Sequence, residues 1–192
     1  MSASLFFREF LANWQSVGAI APSSFALAER MMEVAGVRKA SHVLELGPGT
    51  GAFTQAIRDA MPMGADYLGI EINAGFAGQL RDRFPGMNFE VAGAQEFDFD
   101  RYLLGKPRFD VIVSGLPWTA FPTSLQQAIL SNVLPHLAEG GQFATFAYFG
   151  FHMLPSGRLF RRLLSDRLHG VETSPVVWRN LPPAFVYVGK KA

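Results

Sequence analysis

The chain's most concentrated chemistry lies where Val43-Leu44-Glu45-Leu46 runs into Gly47-Pro48-Gly49-Thr50-Gly51 and a helical pattern opens at Ala52. Alternating glycines after a strand let the backbone turn sharply and let a ligand approach with no Cβ in the way. Twenty residues past Gly51, closing the next apolar run, stands Glu71, where a carboxylate can accept hydrogen bonds from both hydroxyls of a ribose. The spacing is G-x-G-x-G rather than the dinucleotide pattern G-x-G-x-x-G, and Pro48 removes an amide donor that a pyrophosphate would want. Glu45 adds negative charge near the turn, which suits a sulfonium and an ammonium better than a phosphate. These features point to S-adenosylmethionine. Thr54 in the following helix and Ile72 beside Glu71 complete the near side of the expected site. The third strand ends at Gly93-Ala94-Gln95, where many methyltransferases carry an aspartate for the adenine amine. Ala94 has no such side chain, so Gln95 or the backbone must serve.

A second cluster follows the fourth apolar run, Val111-Ile112-Val113, as Ser114-Gly115-Leu116-Pro117-Trp118. In an open α/β sheet the carboxyl ends of strands face the ligand crevice, which puts this segment beside a reactive methyl. Methyl transfer from a sulfonium is an in-line displacement that depends on aligning a neutral lone pair at near-attack distance. The Ser114 hydroxyl and the carbonyls of Gly115 or Leu116 can orient an amine through its hydrogens. Pro117 fixes the turn, and the Trp118 ring can face a growing ammonium. The four histidines, His42, His136, His152 and His169, have no metal-ligand spacing, so no metal is expected. His152 is the one expected nearest the site.

The elements that hold these clusters follow from periodicity. Short apolar runs alternate with helical patterns, as in a parallel sheet flanked by helices. Strands are expected at 42–46, 67–71, 88–92, 111–114 and 142–149, with a final antiparallel pair at 171–178 and 185–188 around Pro182-Pro183. Helices are expected at 5–14, 25–34, 52–60, 74–83, 123–138 and 159–168, with Ser23 or Ser24 capping the second and Pro135 bending or ending the fifth. The fold class is therefore α/β, a doubly wound seven-stranded Rossmann-like sheet ending in a C-terminal antiparallel hairpin. Two N-terminal helices fall within residues 1–36, and residues 37–192 form one globular unit.

Composition narrows the rest. With 192 residues, 49% of them hydrophobic and 17% charged, the chain can bury a core and is not a disordered polyelectrolyte. It has no cysteine, which excludes disulfides, thiol catalysis and cysteine-held zinc. No secretory leader and no membrane-spanning run is evident, so a cytoplasmic chain is expected. The net charge of +1 offers no global field for nucleic acid, but residues 151–192 hold seven basic side chains against two acidic ones, a net +5.

Four segments carry a resemblance: Val17–Ser24, the Glu45–Gly51 loop, Ser114–Trp118 with Phe121-Pro122, and Asn180–Phe185. Together they resemble the bacterial phospholipid N-methyltransferases, class I enzymes that methylate phosphatidylethanolamine stepwise with S-adenosylmethionine at the membrane surface. The resemblance implies a cofactor site at Glu45–Gly51, Glu71 and Gln95. It also implies a headgroup site near Ser114–Trp118, Tyr148 and Trp178-Arg179, and a peripheral protein at the inner face of the membrane, with residues 5–14 lying in the interface. Three other readings compete: an rRNA adenine methyltransferase, a small-molecule amine methyltransferase, and a non-catalytic cofactor-binding subunit.

Overall fold

A computed structural model describes residues 24–192; the helix expected at 5–14 lies outside them. The first element, α1 (Phe25–Ala35), is capped by Ser24, whose Oγ accepts the Leu27 N–H at 3.3 Å, and Gly36 ends it at φ 68°. Its buried stripe of Leu27, Ala28, Met31, Met32 and Ala35 lies against the sheet, as the 3.6-residue period requires.

The strands are β1 (His42–Leu46), β2 (Asp66–Glu71), β3 (Asn88–Val91), β4 (Phe109–Ser114), β5 (Leu137–Tyr148), β6 (His169–Thr173) and β7 (Ala184–Lys190). They form one sheet in the order β3-β2-β1-β4-β5-β7-β6, with the first five parallel and β7 antiparallel to both neighbours. Helices α2 (Ala52–Ala60) and α3 (Ala74–Arg83) join α1 on one face. A single turn, α4 (Phe99–Tyr102), with α5 (Thr123–Val133) and α6 (Pro155–Ser165), covers the other. Successive strand residues feed opposite cores: Val43 and Val111 one, Leu44 and Ile112 the other. Burial on both faces is why these strands read as unbroken apolar runs.

Several boundaries differ from the sequence expectation: the last helix runs Pro155–Ser165 rather than 159–168, the fourth strand starts at Phe109 rather than Val111, and three larger differences have clear causes. The helix expected to reach Ala138 stops at Val133, because Pro135 lacks an N–H and starts a 3-10 turn. β5 then begins at Leu137, five residues early, and Gly140-Gly141 is absorbed within it where the register against β4 shifts between Phe109 and Val111. A Cβ on Gly141 would lie 2.8 Å from the Ala138 carbonyl, so the irregularity demands glycine. The last pair is not a tight hairpin: β6 ends at Thr173 before Pro175, and a long segment returns to β7. β7 takes the inner position because Val186 and Tyr187 are buried on both sides, whereas the largely exposed His-Gly-Val-Glu-Thr of β6 suits an edge.

Candidate active site

The loop after β1 is built from three glycines in the left-handed region, at φ 68°, 57° and 85° for Gly47, Gly49 and Gly51. Gly51 caps α2, and a Cβ there would press on Phe84 at 2.9 Å. The Gly115 N–H donates to the Leu46 carbonyl at 2.8 Å, and a Cβ on Gly115 would sit 2.8 Å from the Gly47 carbonyl. The two motif loops therefore touch through backbone, which neither could do with a larger residue.

Glu71 closes β2 at the rim of the resulting crevice. Its two carboxylate oxygens accept from the Gly49 N–H (2.9 Å) and the Asn73 N–H (2.8 Å), which hold it rigidly and leave lone pairs for a diol. Burial nonetheless raises its pKa above the usual carboxylate range, against the lowering by those amides. Ile72, Ala94, Gln95, Leu116, Phe121 and Leu125 line the remainder of the crevice. The Gln95 amide folds over Gly93 and the Leu116 side chain stands against Gly47. Both are ends of flexible side chains, so a nucleoside can be admitted by rotamer change. The Ala94 carbonyl accepts from Asn132 Nδ2 (3.0 Å) and keeps a second lone pair, so it and the Gln95 side chain are both suited to an adenine edge. Asn132, on α5, carries no signal in sequence.

Glu45 lies beneath the loop. Its Oε2 accepts from Thr54 Oγ1 (2.8 Å) and the Tyr67 hydroxyl (2.5 Å), while Oε1 is buried without a hydrogen-bond partner. Burial pushes its pKa up to about 7, although both donors pull it down. Near neutrality about half its charge is thus withheld, unlike the open negative charge that sequence position suggests. Its Oε1 keeps spare acceptor capacity, although Glu45 itself is fully buried and does not line the crevice. The pH dependence follows with a definite sign. Folding favours protonated Glu45, so its contribution to stability is full below about pH 4.5 and is lost as pH rises through 7, about 3 kcal/mol in all. Urea denaturation between pH 5 and 8 should show this decline in the wild type, and Glu45→Gln should flatten it.

On the acceptor side, the Ser114 Oγ accepts the Leu116 N–H (3.3 Å) and the Trp118 indole N–H (3.0 Å), and the Ser114 carbonyl accepts from Thr145 Oγ1 (3.0 Å). The hydroxyl therefore shapes the 114–118 turn. Trp118 is buried, with Phe160 stacked on its ring at 4.7 Å and 17°. It forms one wall of a cavity of about 340 Å³ that Leu116, Phe146, Tyr148, Phe151 and Tyr187 also line, with His152 at its edge. His152 Nδ1 takes the Gly150 N–H at 3.2 Å. Burial pushes the Tyr148 hydroxyl up to about 12, so it stays protonated. Among the described residues no carboxylate lines this cavity, and Leu116 alone lines both it and the crevice.

Trp178 and Arg179 are not in that cavity. They line a groove against α1 and α2, where the Trp178 ring meets that of Phe149 at 5.4 Å. Of the first resemblance-bearing segment only Ser24 is described, and its N–H donates to Asn180 Oδ1 at 2.9 Å, while Asn180 Nδ2 donates to the Pro182 carbonyl at 2.6 Å. Among the described residues no cluster could hold a metal.

This strand order, with a glycine turn after β1 and an acid closing β2, defines a class I methyltransferase, whose methyl donor is S-adenosylmethionine. The chain belongs to the methyltransferase-domain family, whose model matches residues 43–141. It is 31% identical over 186 residues to an ornithine lipid N-methyltransferase from Singulisphaera acidiphila, covering 95% of this chain and 93% of that protein. It is 29% identical over 122 residues to ribosomal RNA small subunit methyltransferase A of Synechococcus elongatus, covering 60% of this chain and 41% of the other. Among solved structures, the N-methyltransferase NodS from Bradyrhizobium japonicum superposes with a TM-score of 0.64 at 16% identity, covering 100% of this chain and 99% of that one. That likeness speaks for the fold.

Proposed function

We propose that the chain N-methylates a lipid headgroup amine, phosphatidylethanolamine and its methylated forms first, at the inner face of the membrane. The observation that carries the reading is the shared Leu116 wall, which sets an apolar, aromatic cavity directly against the cofactor crevice. Bound S-adenosylmethionine supplies an electrophilic methyl on a sulfonium. Glu71 takes the ribose hydroxyls, Gln95 the adenine edge, and the Glu45–Gly51 loop with Thr54 the amino-acid end. An apolar cavity disfavours a desolvated ammonium, so the amine would enter neutral with its proton left in bulk water, and its lone pair would take the methyl as S-adenosylhomocysteine leaves. The Gly115 and Leu116 carbonyls orient the remaining N–H bonds. As charge grows on nitrogen, the rings of Trp118 and Tyr148 face it, and each such contact contributes about 0.5–2 kcal/mol.

A second substrate, the amine of an ornithine lipid, is favoured by the activity named for the Singulisphaera relative. Methyl-labelled cofactor should be supplied with vesicles of each lipid, total RNA and a panel of soluble amines. Label is expected in a lipid amine, and label in RNA alone would end the lipid reading.

A further inference from the structure

The turn after β3 carries Ala94 where an aspartate side chain would accept from adenine, and a single amide from α5 holds its backbone. Within the turn the Gly93 carbonyl accepts the Glu96 N–H at 3.1 Å and the Phe97 N–H at 3.0 Å. From outside, Asn132 Nδ2 donates to the Ala94 carbonyl and to the Phe97 carbonyl, each at 3.0 Å. Both partners are carbonyls, so only the NH2 of that amide can face them, and its orientation is settled by chemistry. One donor group therefore spans the turn.

The helix aims this amide. Leu125 and Ile129, one turn apart on α5, line the cofactor crevice, and Asn132 follows three residues on along the same face. Asn132 does not line the crevice, so it acts on a ligand there only through the turn. Its own carbonyl accepts from His136 Nδ1 at 2.9 Å, and His136 Nε2 meets Asp100 Oδ1 at 3.0 Å. These bonds tie the end of α5 to α4, so the anchor of the amide is itself held.

The backbone of the turn offers what an adenine edge needs. The 6-amino group wants an acceptor, and the Ala94 carbonyl keeps a lone pair for it. Ring N1 wants a donor, and neither the Ala94 N–H nor the Gln95 N–H has a hydrogen-bond partner among the described residues. The Gln95 amide can turn over and present either its carbonyl or its NH2, so by itself it suits an amino or an oxo group equally. A clamped backbone cannot turn over. Discrimination between a 6-amino and a 6-oxo purine therefore falls to that backbone.

We propose that Asn132 is the positioning residue that makes the cofactor site selective for adenine, by holding the Ala94 carbonyl in line with the 6-amino group. The proposal rests on the placing of adenine against residues 93–95 in the reading above, and is independent of which amine is methylated.

Calorimetry on the full chain with S-adenosylhomocysteine and with S-inosylhomocysteine, which carries a 6-oxo group, tests it. The wild type should prefer the adenine ligand by about 10- to 100-fold, the cost of setting one carbonyl against another. Asn132→Ala should weaken adenine binding about 5- to 30-fold and reduce the preference to about threefold or less. Asn132→Asp is close to isosteric but sets carboxylate oxygens against two carbonyls, so it should lose the preference as fully as alanine does. Both ligands are measured on one preparation, so partial unfolding of a variant leaves their ratio intact. A preference lost in both variants would uphold the proposal. A preference kept by either variant would overturn it and leave the adenine assignment standing. A wild type with no preference would sink that assignment and the proposal with it.

Discussion

Glu71→Ala should weaken S-adenosylmethionine binding by about 1.5–3 kcal/mol, or roughly 10- to 150-fold in Kd by calorimetry, the cost of losing a charged acceptor from a diol. The geometry explains why no near neighbour can substitute. Glu71 faces two backbone donors, Gly49 N–H and Asn73 N–H, one on each oxygen. Glu71→Gln would turn an NH2 toward one of them, so it should lose affinity nearly as badly as alanine although it keeps the shape. Glu71→Asp would keep the charge but withdraw it from both amides. A melting curve run beside the calorimetry separates a misfolded loop from a lost contact. Unchanged affinity in a folded Glu71→Ala chain would remove the ribose assignment.

Trp118 should give the largest loss of stability. It is buried, with Phe160 stacked on its ring and Phe121 and Phe143 meeting it edge-on. Trp118→Ala should therefore cost about 3–5 kcal/mol, read as a lower urea midpoint. Trp118→Phe is the sharper test of function. It keeps an aromatic ring against Phe160 but removes the indole N–H from Ser114 Oγ, a bond within the turn that carries the Gly115 and Leu116 carbonyls. Misplacing those carbonyls by a fraction of an ångström should slow methyl transfer about 10- to 100-fold while leaving cofactor affinity as it was. Equal rates would make Trp118 a packing residue only.

The expected residues divide by the range of the interactions that place them. The glycine loop, Glu71 and the 114–118 segment were legible because each depends on neighbours within a few residues: a strand, a turn and a helix start. Tyr67, Asn132, Phe160 and Tyr187 were not. Their roles come from contacts across elements, as when Asn132 on α5 reaches the Ala94 carbonyl after β3. Trp178 and Arg179 went to a different groove because β6 ends at Thr173, ahead of Pro175, and the returning segment runs along α1. Glu45 was visible as an acid but not as one that titrates near neutrality, since its burial depends on Tyr67 and Thr54 packing over it.

Local spacing thus determined the class of fold, the strand-end placement of both motifs and the cofactor chemistry, because backbone turns and strand alternation are encoded over short distances. Tertiary packing decided that β7 lies inside β6 and that Leu116 divides crevice from cavity. Those outcomes depend on which buried surfaces find one another, a choice that no short stretch of chain contains.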